Sequence, residues 1–230
     1  MDDDDAFYAA LEGQFRADLD QLTAHFLQLW PRLHAAGVGS KERPVLDLGC
    51  GRGEWLEFLG QRGLVGRGCD ASPAAVETCR TRGCKAEVAD LVSWIESAEP
   101  GSAGAVTMFH VAEHLPMPVL RRVVRAARRA LCPGGLLLCE TPNPENIQVG
   151  ALNFYLDPTH LRPIPPQLFR FILEFYGFSD VAVVGLSPWT ELRRQKWKWR
   201  ILRHWVGRAL PKLEGLLYSD QDYAVVGVAP

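Results

Sequence analysis

The run Val45-Leu46-Asp47-Leu48-Gly49-Cys50-Gly51-Arg52-Gly53-Glu54-Trp55-Leu56 constrains the fold more than any other part of the chain. An apolar strand enters a glycine-rich turn that opens at once into a helix. Glycines there permit tight backbone geometry and close approach of a ligand, and the helix start behind them presents unpaired N–H groups. Downstream, β-rich runs alternate with helical stretches. The pattern predicts strands at 44–48, 65–69, 85–88, 105–109 and 136–140, with helices at 54–61, 73–82, 91–97 and 118–131 between them. Such alternation argues for parallel β-α-β units in a doubly wound, Rossmann-like α/β sheet. A helix at 165–176 closed by Gly177, a strand at 180–184 and a last strand at 223–229 complete seven strands, the two terminal ones forming an antiparallel edge on the sheet and the last running antiparallel.

Upstream, Phe7, Leu11, Phe15, Leu19, Leu22, Phe26, Leu29 and Leu33 recur at three- and four-residue steps, the signature of one helical face. The expected organisation is therefore a single domain over 1–230. A helical lid occupies 1–40, the core 41–184, a Trp/Arg-rich helical insertion 185–218 and the last strand 219–230. With 47% hydrophobic and 23% charged residues the composition is that of a folded globule. A net charge of -2 excludes a chain that grips nucleic acid over its whole surface. No 18-residue apolar run offers a membrane span, and Met1-Asp2-Asp3-Asp4-Asp5 is acidic where a signal peptide is basic. Both point to the cytoplasm, with no nucleic-acid partner. The six cysteines form no C-x-x-C pair, which predicts reduced, mostly buried thiols and neither a zinc knuckle nor a redox motif.

The second strand ends in Asp70, 21 residues after Gly49, where an acid can hold the two hydroxyls of a ribose. A dinucleotide site would want a third glycine at the position held by Glu54. Asp47, Glu54 and Asp70 make the turn negative, which favours a cationic sulfonium nucleoside over a pyrophosphate. NAD or another nucleotide is the alternative.

The run V-L-D-L-G-C-G-R-G, Asp70, Ala89-Asp90-Leu91 and Leu131-Cys132-Pro133-Gly134-Gly135 together resemble the class I S-adenosylmethionine-dependent methyltransferases. The resemblance spans roughly 43–184. It implies that Gly49 and Gly51 lie against the methionine part, Asp70 on the ribose, and Asp90 with Leu91 by the adenine. It adds Asp47, Cys50, Ala71 and His110 to the cofactor-binding set. Arg16 is a candidate clamp for the methionine carboxylate if the N-terminal helix closes as a lid.

Two further segments, Phe109-His110-Val111-Ala112-Glu113-His114-Leu115-Pro116 and the stretch from Glu140 to Pro163, are similar to the methyltransferase domain of bacterial O-antigen chain-terminating enzymes and to polysaccharide-cluster methyltransferases. The N-terminal Phe7-Tyr8, Glu12 and Phe15-Arg16 resemble that group too, although Ala17 stands where a glycine is expected. In an open α/β sheet, ligands sit beyond the carboxyl ends of the strands, so residues just past strands four and five line one crevice. A sugar hydroxyl is a poor nucleophile and gains from a base or a metal. His110, His114, Asp157 and His160 are the catalytic candidates. His110-x-x-Glu113-His114 with a later His160 also resembles the E-x-x-E-H plus histidine arrangement of metal-dependent small methyltransferases. By that likeness Glu113, His114 and His160 would hold Mg²⁺ or Mn²⁺, while a metal-free acid–base site is the other reading. Arg162 is placed to meet an anionic group. His25, His34 and His204 read as surface or packing residues on helices.

Between 189 and 212, Trp189, Trp197, Trp199 and Trp205 mix with eight arginines and lysines. Docking of an acceptor or partner ranks ahead of plain packing and of membrane contact. The expectation is an S-adenosylmethionine-dependent O-methyltransferase acting on a glycan or sugar-lipid acceptor, and capping the growing end of a polysaccharide. It would work in the cytoplasm or at the inner-membrane surface, beside a glycosyltransferase. The alternatives are a small-molecule or quinone-like O-methyltransferase, and a non-catalytic scaffold for a glycosyltransferase complex.

Overall fold

A computed structural model describes residues 19–188 and 217–230. In chain order, helix α1 (Leu19–Ala36) is followed by β1 (Val45–Leu48), α2 (Glu54–Gly60), β2 (Gly66–Asp70), α3 (Pro73–Thr81), β3 (Lys85–Val88), α4 (Leu91–Ser97) and β4 (Ala103–Phe109). Then come a 3-10 turn (Ala112–His114), α5 (Met117–Ala130), β5 (Leu131–Pro142), the short α6 (Ile147–Ala151) and a second 3-10 turn (Asn153–Leu156). Helix α7 (Pro166–Phe175), β6 (Ser179–Leu186) and β7 (Asp222–Val228) close the fold. The seven strands form one sheet in the order β3-β2-β1-β4-β5-β7-β6.

Strands β1 and β4 are apolar on both faces and nearly wholly buried, as central parallel strands covered by helices must be. The apolar core lies on both sides of the sheet. One side gathers Val92, Ile95, Leu120, Val124, Phe169 and Leu173 from α4, α5 and α7. The other gathers Phe26, Leu29 and Leu33 from α1 with Trp55, Phe58, Leu59 and Val76. There Phe26 meets Trp55 edge-on at 4.9 Å, and Trp55 stacks on Phe58 at 5.4 Å. Helix α1 runs through Pro31. A proline inside a helix costs about 3 kcal/mol. Each buried Phe or Leu contributes about 1.5–3 kcal/mol, so three of them on this face outweigh it.

The two terminal strands form the antiparallel edge that the sequence predicts. Strand β7 is inserted between β5 and β6 and runs antiparallel to both, leaving β6 outermost. The burial explains why: Tyr223, Ala224, Val225, Val226 and Gly227 of β7 are buried in succession, so both its faces are covered, whereas β6 mixes covered and exposed residues. Strand β5 also begins earlier than its apolar run suggests. Gly134 and Gly135 carry the ladder on, exchanging bonds with Ala229 at 2.7 and 2.8 Å. All six cysteines are free and five are buried. Among the described residues no helix is long and apolar enough to cross a membrane.

Candidate active site

At the carboxyl ends of β1 and β2 the glycine turn is built on left-handed backbone. The N–H groups of Gly49 and Cys50 both donate to Cys69 O at 2.9 Å, which fixes the turn to the next strand. Gly49 has φ +71°, and a Cβ there would collide with Val111 Cγ2. Gly51 has φ +52° and nothing within 4 Å of the Cβ position, so its outer face opens on space that a ligand can fill. Asp70 stands beside it. Its Oδ2 accepts from Gly51 N at 2.9 Å and its Oδ1 from Ser72 N at 2.8 Å. Each carboxylate oxygen keeps a second lone pair for a ribose hydroxyl. An open glycine cradle beside a braced carboxylate fits a nucleoside.

The other members of the expected cofactor set are distributed unevenly. Ala71 and Asp90 are exposed and Leu91 is half-buried at the same end of the sheet. Asp90 caps α4, its Oδ1 accepting from both N–H and hydroxyl of Ser93 at 2.9 Å. Cys50 is buried with its side chain packed at the Gly68 backbone, so it offers a ligand only main chain. Asp47 does not face the mouth as the sequence suggests. It is 2% exposed, beneath the turn, and accepts from Thr107 Oγ1 at 2.7 Å. Glu54, expected to add negative charge, is paired with Arg82 at 3.5 Å. Arg16 and the Trp/Arg-rich run 189–212 lie outside the described residues.

Burial pushes the Asp47 carboxyl up to about 7. An unfolded aspartate ionises near ~3.9, so between those values the unfolded chain holds fewer protons than the native one. Stability contributed by this group is therefore complete below about pH 4 and falls as pH rises to about 7. Asp47→Asn removes the charge while keeping an acceptor for Thr107. The variant is expected to gain up to on the order of 4 kcal/mol over the native protein at about pH 8, and little at about pH 4. Chemical denaturation of both proteins at the two pH values measures it; a pH-independent difference would refute the assignment.

Past β4 and β5 the structure gathers the polar residues of the crevice. His110 follows β4 with φ +52°, a backbone region that a non-glycine residue holds only when its surroundings insist. Its Nε2 is 3.0 Å from Glu140 Oε1 and its Nδ1 is 3.3 Å from Glu113 Oε1. Burial opposes the charge on His110, but the two carboxylates outweigh it and hold the ring well above the usual histidine range. Two flanking carboxylates favour the charged ring, which works against the general-base role that the sequence leaves open to His110.

His114 differs. Burial, helped by His160, holds it below the usual range despite the pull of Glu113, so it is neutral at about pH 7. The Thr159 hydroxyl donates to Asp157 Oδ1 at 2.6 Å and is 2.9 Å from His114 Nδ1. With its proton directed at Asp157, that hydroxyl accepts from Nδ1–H and leaves Nε2 of His114 with a lone pair. His160 Nδ1 lies 2.6 Å from Phe154 O, a carbonyl that can only accept, so Nδ1 carries a proton and Nε2 is the nitrogen left outside that bond. Glu113 is fully buried and takes a 2.9 Å bond from Thr141 Oγ1 on Oε2, while its Oε1 has the 3.3 Å ion-pair contact with His110 Nδ1. The ligand atoms of Glu113, His114 and His160 lie within 4.8 Å of one another. One carboxylate and two imidazoles, each braced through its far atom, suit a divalent cation. His110, Glu140 and Asp222 also come that close, but both oxygens of Glu140 are already bonded to histidines.

Not every polar residue past β5 faces the crevice. Asn143 bonds Ser219 and Asp220, and Asn146 bonds Ser219 O at 2.6 Å, so both anchor the segment leading into β7. Arg162 is exposed. His25, which the sequence places among packing residues, is instead bonded through Nε2 to Glu140 Oε2 at 2.7 Å. Its position beside Phe26 in the buried stripe of α1 is the available signal.

A family model described as a methyltransferase domain matches residues 15–183. Among solved structures, a SAM-dependent methyltransferase from Archaeoglobus fulgidus is 26% identical with a TM-score of 0.83, over 96% of this chain and 99% of that one. Curated relatives are named ubiquinone biosynthesis O-methyltransferase. That of Xanthomonas oryzae pv. oryzae is 31% identical over 150 residues, 60% of each chain. That of Neisseria meningitidis serogroup A is 34% identical over 106 residues, 43% of this chain and 44% of that protein. The chain thus spans about half the length of the curated relatives it matches.

Proposed function

The chain belongs to the methyltransferase-domain family, and on that premise we propose that it is an S-adenosylmethionine-dependent O-methyltransferase. When bound, S-adenosylmethionine supplies an electrophilic methyl group on a sulfonium. Gly49 and Gly51 would cradle it, Asp70 would take the ribose, and Asp90 with Leu91 would stand beside the base. The observation that carries the reading on the acceptor side is the grouping of Glu113, His114 and His160, whose ligand atoms lie within 4.8 Å of one another, with His160 Nε2 3.9 Å from Glu113 Oε1. A divalent cation bound there, Mg²⁺ or Mn²⁺, would lower the pKa of an acceptor hydroxyl. Without one, neutral His114 takes the proton at Nε2, and Asp157 orients it through Thr159.

The acceptor in this proposal is a sugar hydroxyl of a bacterial polysaccharide or sugar-lipid. Support comes from the likeness of 109–116 and 140–163 to O-antigen-type methyltransferases. Methylation of a terminal hydroxyl removes the nucleophile that extension needs, so the product is a capped chain end. Work at the inner-membrane surface beside a glycosyltransferase belongs to the same proposal. A second reading, a phenolic hydroxyl of a quinone precursor, is favoured by the names of the curated relatives and by Leu152, Tyr155, Leu156 and Leu161, which are exposed along the segment that carries His160. Transfer of labelled methyl from S-adenosylmethionine to a matched panel of oligosaccharides and catechols decides between them. Label on the oligosaccharide alone supports the first, label on the catechol alone replaces it with the second, and label on neither refutes both.

A further inference from the structure

We propose that His25, on the N-terminal helix α1, is a positioning residue of the acceptor site that acts through the buried Glu140 carboxylate on the ring of His110. The inference rests on the methyl-transfer reading and adds to it a contribution from outside the strand ends. Glu140 is 1% exposed, and its two oxygens are divided between two rings: Oε2 to His25 Nε2 at 2.7 Å and Oε1 to His110 Nε2 at 3.0 Å. The row continues on both sides, to Ser187 Oγ, 3.4 Å from His25 Nδ1, and to Glu113 Oε1, 3.3 Å from His110 Nδ1. It therefore joins α1, β5, the end of β4 and the turn that carries the acceptor-side carboxylate.

Such a row is costly to leave half made. A buried carboxylate with one partner removed must find another or lose its charge. With His25 gone, Glu140 is free to turn toward the remaining ring, and His110 loses the fixed counterpart that sets its angle. His110 sits on left-handed backbone and also makes its main-chain bond to Glu140, N to O at 3.1 Å, so the carboxylate residue holds it at both ends. A shift of that ring moves Glu113, whose Oε1 faces His110 on one side and His160 Nε2, at 3.9 Å, on the other. Helix α1 is itself anchored by Phe26, Leu29 and Leu33 in the core, so His25 is presented from a rigid support.

The test uses His25→Ala, His25→Asn and His25→Gln in the full chain. Glutamine places an amide N–H where Nε2 stands and can still reach Glu140; asparagine is polar but too short. The expected result is a kcat lowered about 10- to 100-fold in the alanine and asparagine variants, the range for partners that orient a site residue through one intermediary. Affinity for S-adenosylhomocysteine stays at the native value, and His25→Gln recovers most of the lost rate. In nitrogen-15 spectra of the imidazoles, the His110 ring signals move in the alanine and asparagine variants and return in the glutamine variant. A purely structural role would lower the melting temperature of all three in step with side-chain size and would show no rescue. Should the alanine variant fail to fold, the asparagine variant carries the comparison. Native kcat and unmoved His110 signals in the asparagine variant overturn the proposal. If the native protein transfers no methyl group, the methyl-transfer reading falls, and the His110 signals alone still decide the positioning claim.

Discussion

Glu113→Gln is expected to lower methyl transfer about 100-fold or more while S-adenosylhomocysteine binds as before. The substitution keeps the volume, and an amide oxygen can still accept from Thr141 Oγ1. What changes is Oε1. In the native protein it is a buried anion with His110 Nδ1 at 3.3 Å and His160 Nε2 at 3.9 Å. Burial opposes that charge, yet the neighbouring His110 holds the Glu113 carboxyl below its ordinary range. An amide nitrogen in its place sets donor against the His110 N–H and removes the only anionic member of the three-residue cluster. Loss of a group that holds a cation or steers a proton costs about 10²–10⁴ in rate. Steady-state kinetics with saturating cofactor reads the effect, and a kcat within about threefold of native would remove Glu113 from the acceptor site.

The second large effect is on the cofactor. Asp70→Ala is expected to weaken S-adenosylhomocysteine about 100-fold or more. The carboxylate braces Gly51 N and Ser72 N, at 2.9 and 2.8 Å, and in the proposed site would take the ribose hydroxyls. Two hydrogen bonds to a charged acceptor contribute about 1.5–3 kcal/mol each, and losing even one exceeds a tenfold change in binding. Asp70→Asn retains one acceptor oxygen for the turn and is expected to fall between. Calorimetry on the three proteins gives the order directly. Equal affinity in the alanine variant would place the nucleoside away from Asp70.

Much of this site is legible in the residues because its chemistry is local. The glycine turn, the acid 21 residues on and the H-x-x-E-H run each lie on one strand end, so periodicity alone places them in the crevice. The trio Glu113, His114 and His160 is what the likeness to metal-dependent small methyltransferases implies, and the structure brings its ligand atoms within 4.8 Å of one another. Other features depend on contacts that no local pattern encodes. His25 and Glu140 are 115 positions apart, and their pairing follows from how α1 lies across the sheet. Asp47 reads as an acid at the mouth, but the strand alternation turns it under the turn toward Thr107, where burial dominates its ionisation. The insertion of β7 between β5 and β6 reflects apolar residues on both its faces, and a strand of that kind is poorly suited to an edge. Asn143 and Asn146 read as crevice residues, yet their partners lie 76 and 73 positions away, in the segment that leads into β7.

Titration of S-adenosylhomocysteine into the native chain, with and without chelator, followed by the acceptor under both conditions, tests the central claim most directly. The account predicts one cofactor site of micromolar affinity that chelator does not alter, and acceptor binding that Mn²⁺ or Mg²⁺ strengthens. Acceptor binding indifferent to chelator would leave the proton to His114 alone. No heat from S-adenosylhomocysteine at any concentration would contradict the account, because the glycine cradle and Asp70 would then hold no nucleoside of this kind.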